Sequence, residues 1–133
     1  MTVKFNIMGE KKKILVVDDE KDILTLLSSR LEMSGFEVST ARDGFEAIEK
    51  IKTIKPDLVI LDIMLPKMDG FQVARLFKFD LDYKDIPIIF LTAKASEEDK
   101  NMAKEVGGDY YFVKPFNFQE MLQKIKDILK LPQ

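Results

Sequence analysis

The chain has 133 residues, 46% of them hydrophobic and 33% charged, with a formal net charge of -2. That length suits one domain with one core, and the balance is that of a globular chain rather than a disordered one. A near-neutral charge gives no whole-chain attraction to nucleic acid or anionic membrane, and no apolar run approaches the roughly 20 residues that span a bilayer. Met1 to Lys13 lacks the apolar stretch and small-residue cleavage site of a secretory signal. Cysteine and histidine are both absent. Disulfides and thiolate chemistry are excluded, a reducing cytoplasm is the expected setting, and the commonest general base and transition-metal ligand are missing. Chemistry here must rest on carboxylates, lysine, hydroxyls and backbone.

After an N-terminal extension over residues 1–11, a single domain is expected over 12–131. The first apolar run, Ile14-Leu15-Val16-Val17, is too short and too uniformly apolar for a surface helix and suits a strand buried on both faces. Ile23, Leu24, Leu27 and Leu31 then mark one face of a helix. Phe36 to Thr40 alternates apolar and polar, which fits an edge strand with one face partly wet. Ala47, Ile48 and Ile51 mark a second helix, and Leu58-Val59-Ile60-Leu61 a second buried run. Val73, Ala74 and Phe77 mark the third helix, followed by the run Ile88-Ile89-Phe90-Leu91. The stretch 96–106 is the most polar, yet Ser96 with Glu98 and Asp99 reads as a helix start. The run Tyr110-Tyr111-Phe112-Val113 and a helix bearing Phe118, Leu122, Ile125 and Leu129 complete the chain.

Strand and helix thus alternate five times. Such short connections require parallel pairing with right-handed crossovers, hence an open doubly wound α/β sheet of five strands with five helices on its two faces. In these sheets functional groups gather outside the carboxyl ends of the strands. There the sequence places Asp18, Asp19 and Glu20 after the first run, Asp62 after the third strand, Thr92 after the fourth, and Lys114 with Pro115 after the fifth. Singly, each has an ordinary role: a helix cap, a turn residue, a β-favouring filler, a solvated lysine. Their recurrence at one position in successive units is what points to a site. Two carboxylates about 4 Å apart repel by roughly 4 kcal/mol at an effective dielectric of about 20, so a proton or a cation must sit among them. Hard oxygen ligands favour Mg²⁺, Mn²⁺ or Ca²⁺ over zinc or copper. A metal held there neutralises a phosphoryl group, Lys114 and Thr92 take its other oxygens, and Asp62 is left as the nucleophile.

The segments Ile14-Leu15-Val16-Val17-Asp18-Asp19-Glu20, Asp62-Ile63-Met64-Leu65-Pro66 with Asp69-Gly70, Leu91-Thr92-Ala93 and Val113-Lys114-Pro115-Phe116 resemble the receiver domain of bacterial two-component response regulators, from about Lys12 to Leu129. The resemblance implies the flavodoxin-like strand order 2-1-3-4-5. It implies that Asp62 accepts a phosphoryl group from the phosphohistidine of a histidine kinase or phosphotransfer protein, which a chain without histidine cannot itself supply. Asp18 and Asp19 would hold Mg²⁺ (or Mn²⁺), Asp19 directly and Asp18 partly through water, with Asp62 and the Met64 backbone carbonyl completing the set. Lys114, its bond to Pro115 cis, would meet the phosphoryl oxygens. Thr92 would move toward the phosphoryl group, and Tyr111 would turn inward behind it. The face built from the fourth helix, fifth strand and fifth helix would then change toward a downstream protein target.

Departures from family habit also carry expectations. Asp109 is followed by Tyr110 rather than a second acid, and the last helix carries Gln119 and Gln123. The charge lattice of the dimer made through that face is incomplete, so a monomer or a weak phosphorylation-dependent dimer is expected. Met64 and Lys94 do not place a hydrolytic water, so self-dephosphorylation is expected to be slow. The chain is expected to be a phosphoacceptor that assists its own reactions at Asp62 rather than an enzyme, and to act alone through protein partners with no nucleic-acid binding. The alternatives are the receiver of a longer DNA-binding transcriptional regulator and a degenerate receiver used as an interaction module, though none of Asp18, Asp19, Asp62 or Lys114 is missing. An aspartyl-nucleophile phosphatase of another α/β family would need a second Asp at position 64, and a flavodoxin-like cofactor binder a phosphate-cradling loop after the first strand. Neither is present.

Overall fold

Backbone pairing orders the five strands. In the computed structural model the chain runs β1 (Lys13–Val17), α1 (Lys21–Met33), β2 (Glu37–Ala41), α2 (Gly44–Ile54), β3 (Leu58–Asp62), α3 (Gly70–Lys78), β4 (Ile88–Thr92), α4 (Glu97–Glu105), β5 (Tyr110–Val113) and α5 (Phe118–Leu129). Every neighbouring pair is parallel, in the order β2-β1-β3-β4-β5. The structure describes residues 11–93, 96–108 and 110–132. Lys94, Asp109 and all of the expected N-terminal extension except Lys11 lie outside them. No helix among the described residues is long and apolar enough to cross a membrane.

The uniformly apolar runs are explained by two cores, one on each face of the sheet. Leu15, Val17, Val59, Leu61, Ile88 and Phe90 point to one side, against Ala47 and Ile51 of α2, Val73, Ala74 and Phe77 of α3, and Ala103 of α4. Ile14, Val16, Leu58, Ile60, Ile89 and Leu91 point to the other, against Leu24, Leu27 and Leu31 of α1 and Met121 and Ile125 of α5. Period-two alternation therefore buries every residue of β3 and β4. The last run departs from that expectation. β5 is an edge strand, and Tyr110 and Val113 at its ends are exposed. β2, the other edge, lies one residue later than the alternation suggests, with Phe36 buried just before it.

Helix starts follow the sequence signals. Ser96 accepts the N–H of Asp99 at 3.0 Å to open α4, and Asp43 and Asn117 do likewise for α2 and α5. Asp69 and Gln72 form a reciprocal capping box at α3. Neither Asp18 nor Asp19 caps α1: the N-cap residue is Glu20, and no side chain bonds there.

The β3–α3 connection folds tightly back on the strand it leaves. Gly70 donates its N–H to the Ile63 carbonyl at 2.9 Å, and a Cβ at Gly70 would lie 2.4 Å from the Asp62 carbonyl oxygen and 2.9 Å from Ile63 Cα. All of these are backbone atoms of the strand end, which cannot yield as a flexible side chain would. Gly35, at φ +100° with open space around it, poses only a conformational cost. We expect Gly70→Ala to destabilise by about 3 kcal/mol through overpacking and Gly35→Ala by about 1 kcal/mol through the left-handed backbone alone. Urea unfolding of the two variants measures the difference, and equal losses would contradict the close approach at Gly70.

Candidate functional site

The ladder of the sheet continues past the apolar runs and sets out the polar residues. Asp62 and Thr92 are the last residues of β3 and β4, fully within the strands. Beyond the strands the Asp18 N–H reaches Ala41 O at 3.1 Å, Ile63 N–H reaches Leu91 O at 2.9 Å and Lys114 N–H reaches Thr92 O at 2.7 Å. Val17 pairs with Leu61 and Thr92 with Val113, so Asp18 stands level with Asp62, and Lys114 follows immediately beyond Thr92. The Lys114–Pro115 bond is cis.

Lys114 Nζ is the centre of the cluster. It lies 2.8 Å from Asp18 Oδ2, 2.8 Å from Glu20 Oε1 and 3.0 Å from Asp62 Oδ2. The contacts to Glu20 and Asp62 are hydrogen bonds. Asp18 Oδ2 has the ammonium charge beside it but no aligned donor among the described residues, and it is buried. Asp62 uses its two oxygens differently: Oδ1 accepts the Met64 N–H at 2.9 Å while Oδ2 takes the lysine. It is thus both the turn residue and the cluster member. Asp18 Oδ1 similarly accepts the Glu20 N–H at 2.9 Å.

Charge does not balance here. Burial first, then the neighbouring Asp18 charge, push the Asp62 carboxyl up to about 6, against the opposing pull of Lys114 and the Met64 N–H. Burial draws Lys114 down, but its contacts with Asp18, Glu20 and Asp62 outweigh that and hold it above the usual lysine range. Oxygens of Asp18, Glu20 and Asp62 lie within 4.8 Å of one another. An all-oxygen donor set with net negative charge and a buried, poorly satisfied oxygen fits a hard divalent cation. Asp19, expected as the direct ligand, is exposed and is not a member of this trio, in which Glu20 stands instead, and Met64, the source of the expected backbone ligand, has an exposed side chain.

Thr92 is buried, and its hydroxyl hydrogen-bonds that of Tyr111. Tyr111 is half-buried and packs on the α2–α3–α4 core, so it is a core aromatic and a neighbour of the site at once. Burial raises its phenol above the ordinary range, and Asp99 on α4 adds to that. Glu20 is the residue to which sequence reasoning gave no role. The available signal was its place at a helix start, where glutamate caps poorly.

The raised Asp62 value has a consequence for stability. The unfolded carboxyl titrates near 3.8 and the folded one near 6. Below 3.8 both states are protonated and the group contributes nothing. As pH rises through that window the unfolded state loses its proton first, so the folded state is progressively disfavoured, by at most about 3 kcal/mol above pH 6. In metal-free buffer, Asp62→Asn is expected to match wild type near pH 4 and to exceed its stability by about 1–3 kcal/mol at pH 7.5. Chemical denaturation across that range gives the comparison. An Asn variant less stable at pH 7.5 would mean that Lys114 fully compensates the charge.

Comparison with known proteins gives the same picture. The model of the response regulator receiver domain matches residues 14–126. The chain is 50% identical over 119 residues to the alkaline phosphatase synthesis transcriptional regulatory protein PhoP of Bacillus subtilis, covering 90% of this chain and 49% of that protein. It is 46% identical over 120 residues to the probable transcriptional regulator ycf27 of Cyanophora paradoxa, with 90% and 49% covered. The chain therefore spans about half the length of these curated relatives. Among solved structures it superimposes on the chemotaxis protein CheY4 of Vibrio cholerae with a TM-score of 0.85 at 36% identity, over 90% of this chain and 99% of that one. With strand order, strand-edge cluster and family match in agreement, this chain belongs to the response regulator receiver domain family.

Proposed function

We propose that Asp62 is the phosphoacceptor of this receiver, taking a phosphoryl group from a phosphohistidine of a partner histidine kinase or phosphotransfer protein. The observation that carries the reading is the buried Asp62 carboxylate, joined to Lys114 at 3.0 Å at the carboxyl edge of the sheet. One oxygen of Asp62 forms the new O–P bond as the P–N bond of the phosphohistidine breaks, and the imidazole leaves with the electron pair. The Met64 N–H on Oδ1 orients the carboxylate. Lys114 moves from Asp62 Oδ2 to the phosphoryl oxygens, and the Thr92 hydroxyl turns from Tyr111 to the same group. Asp18, Asp19, Asp62 and the Met64 carbonyl are the residues that would hold Mg²⁺ or Mn²⁺, and bound there the ion supplies positive charge against the phosphoryl oxygens. Release of Tyr111 from Thr92 then frees the face of α4, β5 and α5 to change. The chain acts as a phosphoacceptor rather than a turnover catalyst.

A second reading concerns output. Relatives of about twice this length, at 50% and 46% identity, are described as a transcriptional regulatory protein and a probable transcriptional regulator. This supports reading the chain as the receiver of such a regulator rather than as a protein acting alone, the reading its sequence first suggested.

Incubation with a small acyl phosphate and Mg²⁺ tests the chemistry by intact mass. Wild type is expected to gain one phosphoryl group and Asp62→Asn none, while Lys114→Gln should be slowed about 10²-fold, the scale of losing one preorganised charge contact. Phosphate uptake by Asp62→Asn at the wild-type rate would place the acceptor elsewhere.

A further inference from the structure

Glu20 occupies a helix N-cap position and does not cap. The helices α2, α3, α4 and α5 each begin on an Asp, Ser or Asn whose side chain accepts an N–H of the first turn. The start of α1 has no such bond, and glutamate is a poor residue for making one. The Glu20 carboxylate reaches instead to Lys114, with Oε1 2.8 Å from Nζ, although its side chain is 60% exposed and open to solvation.

This contact bears on Lys114. The ammonium has three donors, and the structure spends two of them on aligned bonds to Glu20 and Asp62. The buried Oδ2 of Asp18 is left with a nearby charge and no aligned donor. A cation entering the cluster competes with the ammonium for the oxygens of Asp18 and Asp62. Whatever draws the ammonium toward the rim favours the cation, and Glu20 is the exposed member of the trio, with Asp18 and Asp62 both buried.

We infer that Glu20 is a positioning residue for Lys114: it shares the ammonium with Asp18 and Asp62 and keeps it at the site when a divalent cation takes those two carboxylates, so that the lysine stays within reach of a phosphoryl group. The inference rests on the roles proposed for Asp62 and Lys114. Two other roles for Glu20, a through-space charge and a direct ligand, operate whether or not Lys114 is present. Positioning does not.

The test is Mg²⁺ titration of the full chain, followed by backbone amide shifts, for wild type, Glu20→Gln, Lys114→Gln and the double variant. Glu20→Gln is expected to weaken Mg²⁺ binding about two- to fivefold, the range of an exposed ion pair, and to have no effect once Lys114 is Gln. Glu20→Asp, which keeps the charge but loses the reach, should weaken binding as Gln does. Equal weakening in both lysine backgrounds would overturn the inference in favour of charge or ligation. The Cε carbon resonance of Lys114 needs no lysine variant: it should move with Glu20→Gln with and without Mg²⁺, and an unmoved resonance would also overturn it. A wild-type chain that shows no response to Mg²⁺ removes the reading of the site itself. Mg²⁺ binding with Lys114 indifferent to Glu20 removes only the role of Glu20.

Discussion

One ammonium among three carboxylates is the interaction on which this site depends. Asp18 and Asp62 are buried at 0% and 3% exposure, where solvent screens them little and their mutual repulsion is large. Lys114 brings a single positive charge to both and to Glu20. It does not cancel them: burial first, then the Asp18 charge, leave the Asp62 carboxyl raised rather than lowered despite a lysine at 3.0 Å. The sheet tolerates this because the cores on its two faces supply the cohesion. The excess negative charge suits a divalent cation, and under the proposed function the same imbalance that costs stability would serve reactivity.

Much of this was legible in the sequence because parallel strands covered on both faces must be uniformly apolar. Where β1, β3 and β4 lie in the middle of the sheet, the runs located them to within one residue. The limits slipped at Asp62 and Thr92 for a definite reason. Hydropathy reports side chains, whereas a strand ends where its backbone bonds end, and those bonds run on past both residues. β5 misled in the opposite sense: its four apolar residues suggested full burial, but an edge strand has a neighbour on one side only, and Tyr110 and Val113 face solvent.

At the site, the residues that topology alone brings together were recoverable and the one that reaches across was not. Asp18, Asp62, Thr92 and Lys114 share a relative position in successive strand–helix units, and that repetition is visible in one dimension. Asp62 needed no choice between turn and site, since one oxygen serves each. Glu20 stands at the start of α1, where an acidic residue is unremarkable beside the helix dipole. Its partner lies 94 positions away, and the one local sign, a glutamate where a better cap is usual, does not point to that partner.

Under the proposed function, the link from Thr92 to Tyr111 is the route by which a charge at the edge would be felt on the α4 side. A phosphoryl group shifts a conformational equilibrium only through contacts that differ between the two states, and with Asp62 as the acceptor the Thr92 hydroxyl, which has one hydrogen to donate, would be such a contact. In the structure it is engaged with Tyr111, whose phenol also senses Asp99 on α4. Helix α4 buries only Ala103 within its nine residues, against three buried leucines in α1 and four buried residues in α3. Moving α4 therefore exposes less apolar surface than moving either of those helices. If Thr92 is withdrawn toward a phosphoryl group at Asp62, its bond to Tyr111 is lost next to a helix that is less costly to displace than α1 or α3. The weak apolar pattern that made residues 96–106 the hardest helix to recognise is then the property that suits it to respond.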